Sequence, residues 1–304
     1  MSIQNQQFQV ESGLGRIRLD DYLFERFGSV SRMYLRDLVR TSQVLVNGDF
    51  PNIGTKLRAN DFVEITIDMS RGTSMQPEDI PLKVVYEDNS IVVIDKPAGM
   101  LVHPTHRDKN GTLLNALVFY LNKDNLKKSH TGNEVRIPLI RPGLVHRLDR
   151  ETSGLMVIAK AVDVHRQLGR EFMKKRVEKR YAALVDGLIK DTEGTIESPI
   201  GRFAEKKQWD IKDDGKRSVT RYRVIKRFRD STLLELEPVT GRTNQLRIHC
   251  ASIGHPIVGD VQRGGRSFER LCLHSFQLTV MHPVDRKQKT FESTIPASFI
   301  PHHC

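Results

Sequence analysis

Gly143-Leu144-Val145-His146-Arg147-Leu148-Asp149-Arg150-Glu151-Thr152-Ser153-Gly154-Leu155-Met156-Val157-Ile158-Ala159 joins an ionisable loop to the strand that carries it. Glycines flank the polar part, and Leu155 to Ala159 is an unbroken apolar run of strand length. Turn formers with several ionisable groups, aimed by a rigid strand, are one common way to build a functional site. The same residues also suit a surface loop laced by ion pairs among Arg147, Asp149 and Arg150, and taken alone the two readings weigh equally.

Segments on either side tip the balance. Upstream, Ile91-Val92-Val93-Ile94-Asp95-Lys96-Pro97-Ala98-Gly99 reads as a buried strand ending in a Lys-Pro-x-Gly turn, followed by Met100 to Pro104. Downstream stand Lys179-Arg180-Tyr181-Ala182-Ala183-Leu184-Val185-Asp186-Gly187 and Gly241-Arg242-Thr243-Asn244-Gln245-Leu246-Arg247-Ile248-His249. Gly254 to Asp260 follows. Further strands are expected near 181–185, 219–225 and 232–237, with helical spacing over 112–121 and 162–175. Strands and helices do not alternate regularly, so the fold class is α+β, with a large mixed and mainly antiparallel sheet, rather than doubly wound.

Residues 80–304 form this domain, and 70–79 is a polar linker without apolar period. Residues 16–69 read as a small α/β unit. Leu19, Tyr22, Leu23 and Phe27 recur at helical spacing, and Ser29-Val30-Ser31 breaks that helix. Ser31 is a candidate N-cap for a second helix with Leu35, Leu38 and Val39 inward and Arg32, Arg36 and Arg40 outward. Val44 to Asp49 is a strand entering a turn, and Phe62 to Ile67 alternates as another strand.

With 304 residues there is chain for one or two domains and a full core. No apolar stretch approaches the ~20 residues of a membrane helix, and the start lacks a secretion signal, so a cytoplasmic protein without a membrane partner is expected. Three cysteines make no disulfide framework, and Pro301-His302-His303-Cys304 offers too few ligands for a structural zinc site. Residues 1–75 hold nine Lys/Arg and nine Asp/Glu, so the remainder, with 39 basic and 28 acidic residues, carries the whole net charge of +11. Charge concentrated in one domain favours a polyanion, and nucleic acid best of all.

Over nearly its whole length the chain resembles the pseudouridine synthases of the RluA type. The resemblance rests on the Asp-Lys-Pro-Ala-Gly strand, the His-Arg-Leu-Asp-x-x-Thr-Ser-Gly loop, the Lys179 to Gly187 segment and Gly-Arg-Thr-x-Gln-Leu-Arg-x-His, in that order. One departure is Asn244, where the family commonly has histidine. The small unit resembles the alpha-L RNA-binding domain of a ribosomal protein, through Arg18-Leu19-Asp20, Ser31-Arg32 and Val46-Asn47-Gly48. Thr41-Ser42-Gln43 stands where many copies have a glycine.

The resemblance implies an enzyme that breaks a uridine glycosidic bond in RNA, turns the uracil and rejoins it through carbon 5. The base supplies its own nucleophilic carbon, so no cofactor or metal is implied. Asp149 matches the catalytic aspartate, acting as nucleophile or as proton acceptor at the sugar; the resemblance leaves both open. Arg247 matches its basic partner, and Tyr181 an aromatic that stacks on the uracil and helps move the carbon 5 proton. Leu246 matches an apolar residue against the base, and Arg147 the residue that enters the stack vacated by a flipped base. His146 is read as a scaffold residue on the substrate-binding side of the site rather than as general base. Arg32 and Arg36 in the small unit, and Lys175 and Arg180 beside the site, are expected to meet RNA. Ribosomal RNA or a pre-ribosomal particle is the expected partner and a monomer the expected state. Transfer RNA as substrate, or a silent RNA-binding assembly factor, are the alternatives. A kinase lacks its glycine-rich loop and downstream asparagine, and a zinc deaminase its Pro-Cys-x-x-Cys.

Overall fold

A computed structural model describes residues 3–11, 16–27, 30–69, 76–105, 107–129, 140–205 and 208–300, with backbone alone at 125–129. The terminal His302, His303 and Cys304, the pair Lys206 and Lys207, Ser29 and most of the expected linker lie outside the described residues. The chain divides into two compact units, one ending at Gln76 and the other beginning at Pro77. No helix among the described residues is long and apolar enough to cross a membrane.

The first unit contains β1 (Ile3–Gln9), β2 (Ile17–Arg18), α1 (Leu19–Arg26), α2 (Arg32–Arg40), β3 (Val44–Val46), β4 (Lys56–Leu57) and β5 (Phe62–Asp68). Its sheet runs β1-β5-β3, all antiparallel, and β1 pairs from Ile3 opposite Asp68 to Gln9 opposite Phe62. The sequence pattern predicts this unit from residue 16 onward. The structure adds β1, whose polar IQNQQFQ run buries only Phe8 and so carries almost no alternation. The Ser31 hydroxyl accepts the Tyr34 N–H at 3.1 Å, a cap of about 1 kcal/mol. Leu19, Leu23, Leu35 and Val63 fill the core. Within Thr41-Ser42-Gln43, where the resemblance leads to a glycine, Ser42 takes φ 58, so this turn places a non-glycine residue in the left-handed region.

The second unit runs β6 (Lys83–Glu87), β7 (Ile91–Lys96), α3 (Leu113–Ser129), β8 (Gly143–Leu144), β9 (Ser153–Ala159), α4 (Val162–Met173), β10 (Glu178–Asp186), β11 (Glu193–Glu197), β12 (Ile200–Phe203) and β13 (Gln208–Ile211). It continues with β14 (Val219–Arg227), β15 (Ser231–Pro238), α5 (Gln245–Ser252), β16 (Leu273–Met281) and β17 (Gln288–Glu292). The main sheet has the order β11-β14-β15-β10-β16-β9-β7-β6, with β17 added to β16 and β8 to β9. Among the described residues only the β9–β16 pair is parallel. β7 is apolar from Ile91 to Ile94 and β9 from Leu155 to Ala159 because both faces are covered: Val92, Ile94, Met156 and Ile158 enter one core, and Ile91, Val93, Leu155 and Val157 the other. At Gly154 (φ +117) a Cβ would collide with the Ser275 backbone, so only glycine lets β9 close on β16 directly below the Asp149 loop.

Candidate active site

Asp149 stands between β8 and β9, and its loop is clamped from behind. The fully buried Lys96 ammonium donates to the carbonyls of Pro97 (2.7 Å), Met100 (2.9 Å) and Arg150 (3.1 Å). Gly99 and Arg150 add two reciprocal bonds, N–H of Gly99 to the Arg150 carbonyl (2.9 Å) and Nε of Arg150 to the Gly99 carbonyl (3.0 Å). Burial lowers the Lys96 pKa to about 8, so it still carries a proton at neutral pH. The Lys-Pro-x-Gly turn therefore serves to hold the Asp149 loop.

From the other side α5 brings Leu246 and Arg247. Gln245 and His249, one turn apart, face the sheet: Gln245 Nε2 donates to the Val219 carbonyl (2.9 Å), and His249 Nδ1 meets the Thr220 hydroxyl (2.9 Å). Gln245 Oε1 also accepts from the Thr240 hydroxyl (2.7 Å) and the Arg242 N–H (3.1 Å), fixing the loop that precedes the helix. Asn244 opens α5 at φ 57, a backbone region that asparagine tolerates, and makes no side-chain cap.

These elements, with Tyr181 from β10, enclose a cavity of about 350 Å³. Asp149, Arg147, His146, Tyr181, Leu246 and Arg247 all line it. Burial pushes the Asp149 carboxyl above the ordinary carboxylate range. The charges of Arg247, Arg147 and Lys96 pull it back without prevailing. Burial likewise pushes the Tyr181 phenol up to about 12, against a hydrogen bond with Ser275. His146 is held neutral, its pKa lowered to about 3 by burial and the Lys179 charge. Its Nε2 accepts the Val157 N–H at 3.1 Å and its ring stacks on Phe172 at 4.7 Å.

One expectation changes, and the structure locates four other basic residues that the sequence assigns to RNA contact. Arg247 does not pair directly with Asp149: its Nε and Nη2 fork onto the buried Asp260, at 2.7 and 2.6 Å, so it reaches Asp149 by charge alone. Arg180 is turned away from the cavity and pairs with Glu235 at 2.7 Å; strand alternation puts Lys179 and Tyr181 on the cavity side instead. Lys175 does not line it either. At φ 56 it terminates α4 in a Schellman turn, with the Arg176 N–H on the Glu171 carbonyl (3.0 Å), and its side chain is exposed. Arg32 and Arg36 belong to the first unit and each has an acidic partner: Asp21 at 2.8 Å and the buried Asp20 at 2.6 Å. Lys179, which the sequence places with the positive charge beside the site, lines the cavity, whereas the pairing of Arg247 with Asp260 has no local signal in the sequence.

The model of the RNA pseudouridylate synthase family matches residues 90–252. An RNA pseudouridine synthase of Aquifex aeolicus is 38% identical over 297 residues, covering 93% of this chain and 91% of that protein. The ribosomal large subunit pseudouridine synthase D of Pasteurella multocida is 35% identical, over 95% and 90% of the two chains. Among solved structures, human RNA pseudouridylate synthase domain containing 1 superposes with a TM-score of 0.54 at 26% identity, covering 72% of this chain and 86% of that one. The chain belongs to the RNA pseudouridylate synthase family, and it is an enzyme that isomerises uridine to pseudouridine in RNA.

Proposed function

We propose that this synthase acts on large-subunit ribosomal RNA and that Asp149 is the carboxylate at the glycosidic bond. The observation that carries the second part is the convergence of Asp149, Tyr181, Leu246 and Arg247, from distant stretches of the chain, on one cavity of about 350 Å³, the size of a small-ligand site. The RNA assignment rests on the names of relatives that align over nine-tenths of the chain.

In the reaction the C1′–N1 bond breaks and a C1′–C5 bond forms; N1 gains a proton and C5 gives one up, so nothing enters or leaves overall. Either role for Asp149 at the sugar requires its anion, which the charges of Arg247, Arg147 and Lys96 favour. A phenol raised to about 12 is protonated at neutral pH, so Tyr181 stacks on the base and offers a hydrogen-bond donor to it. Leu246 packs on the uracil. The exposed Arg147 at the cavity mouth fills the gap left by a flipped base, an extrusion costing a few kcal/mol. The first unit positions the RNA, in keeping with its resemblance to the alpha-L domain.

Mapping pseudouridines in total RNA from cells without this gene, complemented by wild type or by Asp149→Asn, tests both parts. A large-subunit site lost on deletion and restored only by wild type is expected. Loss confined to transfer RNA contradicts the substrate, and restoration by Asp149→Asn contradicts the residue.

A further inference from the structure

A second cavity of about 410 Å³ shares the wall Gly241-Arg242-Thr243 with the first. Its other side is the β12–β13 hairpin, in which Arg202 pairs with Trp209, together with the turn leading to Lys216. This wall is built rather than loose. Ile200 and Lys216 exchange backbone bonds at 3.0 and 2.9 Å, and at Gly215 a Cβ would meet the Ile200 and Lys212 backbones at 2.6 and 2.7 Å. The Trp209 carbonyl accepts from Arg263 Nη2 at 2.8 Å, which fixes the strand beneath the indole.

The chemistry of the lining is that of a strand-binding surface. Trp209 is half-buried and lines the cavity. Arg202 and Lys216 are exposed and make no ion pair within 4 Å among the described residues, whereas Lys212 is occupied by Asp214 at 2.8 Å. Arg242 sits in the shared wall; its Nη2 reaches only the Arg217 carbonyl at 3.4 Å, and its buried Nε has no partner. An aromatic face beside unpaired cations binds a nucleic-acid strand by base stacking and phosphate contact.

We propose that this second cavity binds a nucleotide flanking the reacting uridine, with its base stacked on Trp209 and its phosphate held by Arg202, Lys216 and Arg242. The inference rests on the uridine occupying the Asp149 cavity. A strand with one base turned into that cavity carries its neighbour to the rim, where the Arg242 wall separates the two.

Trp209 is the one tryptophan of the chain, so its emission reports this site and no other. The full-length Asp149→Asn protein is titrated with 5′-fluorescein-labelled oligouridylate of 15 nucleotides at 50 mM salt; anisotropy reads binding, and unlabelled RNA of the same sequence reads indole emission. Saturating RNA is expected to quench Trp209. Trp209→Ala should weaken binding about 5- to 100-fold, and Trp209→Phe by less. Arg202→Gln and Lys216→Gln should each lower the salt slope by about one. Absence of binding, or binding with unchanged emission, overturns the proposal, and the emission readout stands even if Trp209→Ala fails to fold. Pseudouridine formation by Asp149→Asn would instead overturn the assignment of the first cavity, whatever Trp209 does.

Discussion

Asp20 in the first unit is buried and Asp149 in the second half-buried, and their surroundings treat them in opposite ways. Asp20 is 1% exposed; burial pushes its carboxyl up, but hydrogen bonds and charges from Arg36 and Arg18, at 2.6 and 3.0 Å, outweigh this and hold it below the usual range. Asp149 has three cations acting on it at a distance and none in contact, so burial wins. On the role proposed for Asp149, the difference separates a structural carboxylate from a reactive one. Asp20 spends its charge joining α1 to α2, while Asp149 keeps its oxygens free for a substrate at some cost to the fold.

The comparison can be broken at several points. Arg247→Ala has the largest expected effect after Asp149 itself, a loss of about 10²-fold or more in the rate of pseudouridine formation. Removing a cation disfavours the Asp149 anion, so its pKa rises and the acid limb of the pH–rate profile moves to higher pH. Arg247→Lys keeps the charge but not the fork on Asp260, so it should restore the limb without restoring the full rate. An unmoved limb in the alanine variant would show that Asp149 does not sense Arg247. Tyr181→Phe retains the ring and loses the donor; a drop of about 10²-fold in turnover with RNA affinity nearly unchanged is expected, measured at saturating RNA. Neither profile should carry an inflection from His146, whose pKa near 3 lies below the working range.

Smaller effects lie on the Asp20 side. Its lowered pKa contributes stability that is present above the unfolded-state value and is lost as pH falls through the folded one. Asp20→Asn should therefore destabilise the first unit by about 2 kcal/mol at pH 7 and flatten its acid denaturation, as read by thermal unfolding. The smallest change is Arg32→Gln. Its exposed pair with Asp21 contributes under about 1 kcal/mol, so stability should hold while the salt slope of RNA binding falls by about one. An unchanged slope would confine the role of Arg32 to the protein itself.

Much of this organisation is legible in the sequence because it is local. The apolar runs of β7 and β9, the helical spacing of α1 and α2 and the Ser31 cap follow from periods and caps, and the structure keeps each of them. The polar loop around Asp149 is visible for the same reason. What escapes is long-range. β1 is a polar edge strand whose pairing with β5 leaves hardly any hydrophobic signature. The partner of Arg247 is decided by which acid the folded chain carries beneath it, and the arginine face of α2 does not announce Asp20 and Asp21 on the neighbouring helix. The burial of Lys96 is equally silent, since a lysine at a strand end looks solvated until three carbonyls surround it.

The central claim, that Asp149 is an unpaired, half-buried carboxylate kept for chemistry, meets its most direct test in Asp149→Asn. A folded pKa raised above the unfolded one contributes stability below the unfolded value that is lost as pH rises through the folded value, so ionised Asp149 disfavours the fold at pH 7. Turnover, RNA affinity and melting temperature of this variant should be measured on one preparation at that pH. Undetectable pseudouridine, affinity within a few-fold of wild type and an unchanged or higher melting temperature are predicted. Measurable turnover, or a melting temperature lowered by several degrees, would contradict the account.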